Sequence, residues 1–224
     1  MIEVVGELLP LGLAVAISPF PVIATVLVLL SDQARLKGLL FLLGWMLGAA
    51  LVTAVAAIVV NALAPPESSG ANPRAGVVRI LLALALFFLA SRKWAGRSSV
   101  SSSEMPGWMS SLTTMSPLRS LGTGVLLTAV NPKNVLIATA AGVAIGGADL
   151  TTGEAAWCVV IFTVVASSSV AVAVIGYALA ADAMTPTLEG LRVWLTENSS
   201  TIMTILLLIF GVVLLGNGIA SFGP

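Results

Sequence analysis

Residues 128–134 read TAVNPKN, a proline followed by a lysine inside a run, 118–146, that is otherwise almost wholly apolar. Asparagine then proline is a helix start. The Asn side chain accepts from the first free backbone N–H groups, and proline is tolerated at the first helical position, where its missing N–H costs nothing. Deeper in a helix the same proline would remove a donor and clash with the carbonyl four residues back. The run therefore reads as two half-helices with a fresh N-terminus between them, and Lys133 puts a full positive charge at that opening. An ionisable group at such depth costs roughly 2.5–3.5 kcal/mol on insertion scales. No Asp or Glu stands at matching depth to offset it.

The rest of the chain sets the solvent around this feature. Of 224 residues 58% are hydrophobic and 9% charged, with a mean hydropathy of +1.08, outside the range of soluble domains. The fold class is an all-α integral membrane protein. Ten basic residues balance ten acidic ones, which leaves no overall field to recruit nucleic acid. Cys158 is the one cysteine and lies in an apolar run, so an intrachain disulfide is excluded and it reads as a small buried hydrophobe. Histidine is absent and the carboxylates avoid the apolar centres, which argues against a metal site, a cofactor or a buried proton relay. The same lack of paired carboxylates and reactive thiol argues against an enzyme. There is no G-x-x-x-x-G-K-[ST] loop for nucleotide.

A span needs about 20 residues to cross roughly 30 Å of hydrocarbon, and six segments qualify: 8–30, 38–63, 75–91, 118–146, 155–181 and 201–220. Arg79 falls in the first turn of the third and is expected to snorkel to the headgroups. The N-terminus lacks the basic flank of a signal peptide and is expected to stay as the first span. Arg35, Lys37, Arg92, Lys93, Arg97, Arg119 and Arg192 fall on one side of the resulting topology and only Arg74 and Arg79 on the other. The positive-inside rule then places both termini outside the cytoplasmic membrane. The connection 92–117 is serine-rich and separates two halves, 1–91 and 118–224. Within it Trp108, Met109, Leu112 and Met115 recur at helical spacing, which fits a short interfacial helix, although a plain linker fits as well.

Three spans per half put the halves in opposite orientations, so likeness between them makes an inverted repeat. SPFPVIAT (18–25) in the first span and NPKNVLIAT (131–139) in the fourth match with one extra residue. Both spans are expected to break at their proline motifs, and new helix N-termini at membrane depth attract anions. In this reading Ser18 and Asn131 cap and coordinate, Pro19, Pro21 and Pro132 shape the breaks, and Lys133 with Asn134 receives an anionic substrate. Two other readings stay open: the prolines as kinks for packing, and Lys133 as a cap for carbonyls of a neighbouring half-helix or as a snorkelling side chain. Gly44 and Gly48 have the G-x-x-x-G spacing of close helix packing. Ser167, Ser168 and Ser169 either line a polar path or bond their own helix. Trp157 and Tyr177 sit near opposite ends of the fifth span, as in an aromatic belt.

The Ser-Pro-x-Pro and Asn-Pro-Lys motifs in two three-span halves resemble the LysE superfamily of small exporters. Within it, LLPLGLAVAISPFPVIATVLVLLS and GTGVLLTAVNPKNVLIATAAG are most similar to the peptidoglycolipid-addressing family, also called sulfolipid-addressing or GAP proteins. Amino-acid exporters of the superfamily show Pro-Gly-Pro in the first motif; Phe20 stands at the glycine position here, which weakens a carry-over of amino-acid specificity. The resemblance implies export across the cytoplasmic membrane, of a glycolipid or its precursor. The alternatives are an accessory protein that places envelope lipids and an amino-acid exporter. Expected partners are membrane lipids, the anionic or lipid substrate, and either further copies of the chain or lipid-assembly proteins.

Overall fold

The computed structural model describes residues 1–63, 73–96, 112 and 114–222. Among them the regular elements are all helices: α1 (Ile2–Ala16), α2 (Pro19–Leu29), α3 (Ala34–Leu63), α4 (Pro73–Ala95), α5 (Pro117–Ala129), α6 (Pro132–Gly146), α7 (Thr152–Leu179) and α8 (Ala181–Ala220). The breaks between α1 and α2 and between α5 and α6 lie at the proline motifs. A residue before proline is pushed out of the helical region, and Ser18 (ψ 128°) and Asn131 (ψ 115°) are both extended. The first break bends the chain by 54°. At Ser116–Pro117 the same device starts α5, with the serine side chain accepting from the Arg119 N–H. A Thr151–Glu154 capping box starts α7.

Four helices, α3, α4, α7 and α8, are long and apolar enough to cross a membrane, and the bent α1–α2 pair makes a fifth. The expected fourth span is divided into helices of 13 and 15 residues, about 20 and 22 Å long, neither of which crosses alone. The expected sixth span starts earlier than 201: α8 is continuous for 40 residues, about 60 Å. Its first half carries no long apolar run, but Leu188 and Leu195 are buried one heptad apart while Leu191 and Trp194 face out, which is enough to seat a helix. The chain is a multi-pass membrane protein. Leu47, Leu51, Ile58, Leu84, Phe88, Val164, Val172, Ile209 and Val212 are all exposed on its long helices, a surface suited to lipid rather than to water.

Apolar burial drives little between helices in lipid, so packing depends on close backbone approach at small residues. α3 runs parallel to α5 and α6. Gly44 meets Leu121, Gly48 meets Val125 and Thr128, Gly142 meets Thr53, and Gly146 meets Ala57. α1 runs parallel to α7, with Gly12 against Val165 and Ala166. α4 runs antiparallel to α8, with Gly76 near Gly218 and Gly211 against Phe87. The contacts come in exchanged pairs: α3 packs on α5 as α7 does on α1, α3 on α6 as α7 on α2, and α2 on α8 as α4 on α6. α3 and α7 pack on each other, as do α4 and α8. The α1–α6 contact has no counterpart of similar extent between α2 and α5.

Of the residues expected to form an interfacial helix, Trp108 and Met109 lie outside the described residues, whereas Leu112 and Met115 are buried in the core. Cys158 is fully buried. Trp157 is exposed, while Tyr177 is half-buried and lines a cleft with Ser31 and Gln33.

Candidate functional site

The C-terminal end of α1 exposes backbone carbonyls in the middle of the bundle, and each must find a donor. Leu13 O takes the Ile17 N–H at 2.9 Å and Val15 O the Ser18 N–H at 3.3 Å. The other two are served from the second half of the chain: Lys133 Nζ donates to Ala14 O at 2.6 Å, and Ser169 Oγ to Ala16 O at 2.6 Å. Lys133 is 2% exposed, and its charge lies at the negative end of the α1 dipole. The geometry is thus the carbonyl-capping reading of this lysine, and among the described residues no carboxylate pairs with it.

At the second break Asn131 Oδ1 accepts from the Lys133 N–H at 3.1 Å and caps α6. Ser18 differs from its expected role. It occupies the N-cap position of α2 but makes no side-chain cap; its buried hydroxyl points to Met203 Sδ at 3.7 Å on α8. The two helix starts are therefore chemically unlike. Pro19 and Pro21 remove two of the first three N–H groups of α2. α6 loses only one, at Pro132, and gains the ammonium. Of the two starts, α6 keeps more of its backbone donors.

Asn134 is 1% exposed, and neither its amide oxygen nor its amide nitrogen has a hydrogen-bond partner among the described residues. Ser167 Oγ on α7 is likewise buried without a partner, so it does not bond its own helix. Ser168 is half-buried, and Ser169 reaches across to α1 as described. Three further unpartnered groups on α3 and α7, Trp45 Nε1, Thr53 Oγ1 and Thr163 Oγ1, were not singled out from the sequence. A membrane-buried threonine ordinarily bonds a carbonyl of its own helix, as Thr25, Thr128 and Thr204 do. Only the structure separates Thr53 and Thr163 from those. α3, α6 and α7 pack on one another, so the unpartnered polar groups belong to three helices in mutual contact. Gly44 and Gly48 have the packing role alone.

Arg79, expected to snorkel, has a partner within the protein. It is held by Glu7 of α1 at 3.1 Å, a pairing of residues 72 positions apart that no local pattern announces.

A buried lysine at the second helix break and unpartnered polar groups on α3, α6 and α7 mark a cluster of buried polar side chains inside a multi-pass membrane protein. A family model described as Sap, sulfolipid-1-addressing protein, matches residues 8–220, and the chain belongs to that family. No curated protein and no solved structure matches it.

Proposed function

We propose that the protein is a transporter that moves an anionic glycolipid, its precursor or a similar anionic amphiphile across the cytoplasmic membrane, through the site at the α5–α6 break. Membership of a sulfolipid-addressing family supports the substrate class, and the proline motifs keep the resemblance to LysE exporters. The exchanged packing pairs support two inverted halves of three spans each, with α5–α6 as a bent span like α1–α2. Rocking of one half against the other does not fit this packing, because it would strip α3 from α5 and α4 from α8. The moving units are mixed: α3 with α5 and α6 forms one, and α7 with α1 and α2 forms its exchanged counterpart. Lys133 on α6 and Ala14 on α1 belong to different units, so their hydrogen bond ties the units together. An anionic headgroup that draws Lys133 off Ala14 O releases the tie, which couples binding to motion.

The observation that carries this reading is Asn134, beside Lys133, with both polar amide atoms unpartnered among the described residues. A group left so in low dielectric costs about 1–3 kcal/mol unless water or substrate pairs with it. Asn134→Leu is expected to melt at or above the native temperature in detergent, because that cost is removed. Its transport rate in liposomes should fall by about tenfold or more, as the site loses a hydrogen bond worth that much. A variant that still transports a fluorescent anionic lipid at the native rate removes Asn134 from the site. If the purified native protein moves no lipid by itself, the accessory reading replaces the transporter.

Orientation has its own check. With both termini outside, a cysteine at Gln33 in the α2–α3 turn is expected to react with an impermeant maleimide only after permeabilisation. One at Asp149, between α6 and α7, is expected to react in intact cells. Cys158 is buried and gives little background. The reverse pattern inverts the topology.

A further inference from the structure

Where α1 and α4 begin and α8 finishes, four polar side chains close on one another. Arg79 holds Glu7 at 3.1 Å and donates from its other terminal nitrogen to Ser221 Oγ at 2.8 Å. Glu7 also accepts from Asn217 Nδ2 at 3.1 Å. Together with Gly6 and Pro10 they line an open cleft of about 470 Å3. The arginine and glutamate side chains keep 16% and 24% exposure, so both are reachable from the cleft. Arg79 Nε is buried and has no partner among the described residues, which leaves the guanidinium fork incompletely used. Val213 and Ala220 complete the cleft lining. Thus a charged floor is set among apolar side chains, as an amphiphile requires.

A guanidinium offers five donors in a planar fork that matches a tetrahedral oxyanion in bidentate fashion. Glu7 occupies that fork with a carboxylate, while Asn217 and Ser221 supply a donor amide and a hydroxyl beside it. We propose that this cleft is a second ligand site, separate from the helix breaks, which takes a sulfate or phosphate monoester headgroup, Glu7 being the counter-ion that the ligand displaces. Arg79 and Glu7 come from the first half of the chain, and Asn217 and Ser221 from the second. Occupancy therefore loosens a cross-tie between α1, α4 and α8. The site depends neither on Lys133 nor on transport.

The test is calorimetric titration of the purified full-length protein in detergent with dihexanoyl phosphatidate, a short-chain phosphate monoester, with inorganic phosphate and sulfate as competitors. Glu7→Gln removes the competing charge and is expected to bind about tenfold tighter, and Arg79→Gln at least about tenfold weaker, the usual scale for one charge-assisted pair. Arg79→Lys should fall between. Competition by the inorganic anions places recognition in the headgroup; a Glu7→Gln gain without such competition assigns part of it to the acyl chains. If Arg79→Gln does not fold, Ser221→Ala decides with Glu7→Gln, because it leaves the ion pair and removes one hydroxyl: binding should weaken about threefold. Native-like affinity in both Glu7→Gln and Ser221→Ala, or weaker binding in Glu7→Gln, overturns the proposal.

Discussion

Gly44→Ala should yield a chain that inserts in the membrane but does not hold α3 against α5. An added Cβ there runs into the Leu121 carbonyl, which is backbone and cannot turn aside as a side chain could. The helices must separate along their whole contact, which also passes Gly48 against Val125 and Gly124 against Phe41 and Trp45. Overpacking typically costs 1–3 kcal/mol, and a clash with main chain at the most extensive kind of interface in the fold belongs at the top of that range or beyond, about 3 kcal/mol or more. Thermal unfolding in detergent measures it. Gly122→Ala, in α5 with nothing near its Cβ position, is the matched control and should be neutral or slightly stabilising. Equal melting of the two variants would mean that α3 and α5 do not approach as closely as described.

Lys133→Met should lose stability and transport together. Part of the insertion cost of a lysine is common to the folded protein and to separated helices in the bilayer, so its removal favours neither state strongly. What differs is pairing: only the folded protein joins the ammonium to Ala14 O. Deleting it orphans a buried carbonyl, at about 1–3 kcal/mol. Lys133→Arg keeps the charge but offers a planar fork to a site built around a compact ammonium, so partial stability and partial transport are expected. The paired measurement is melting temperature and lipid transport for each variant. A methionine variant that melts as the native protein does but fails to transport would assign the lysine to substrate alone. One that melts and transports normally removes it from both roles.

The membrane class and both helix breaks are legible in the sequence because they rest on local chemistry: an apolar composition, and prolines preceded by Ser or Asn. The Asn131 cap is equally local. The acceptor of Lys133 is not, since Ala14 lies 119 positions away and donates nothing to the pattern but a backbone oxygen. Glu7 and Arg79 were visible as charges, yet their pairing depends on α1 and α4 both reaching the end of α8. Ser18 shows the limit of motif reading from the other direction. The cap-then-proline pattern places the residue correctly at a helix start, but the side chain turns to Met203 on another helix. The continuous α8 was obscured because a span is recognised by apolar length, whereas its first half is held by two leucines seven residues apart.

Because the extensive helix contacts run between the halves and not within them, the order of synthesis matters to this chain. When the ribosome has finished α4, the first half has almost none of its partners: the Gly44–Gly48 groove is empty, and the α1 carbonyls at Ala14 and Ala16 have no donors. The nascent half must wait in the bilayer until α5 to α8 arrive, held there by lipid and by whatever insertion machinery shields its polar groups. Folding is then a late, concerted closure of two interleaved sets of helices, and a truncated product has no independently stable core to protect it from membrane proteases.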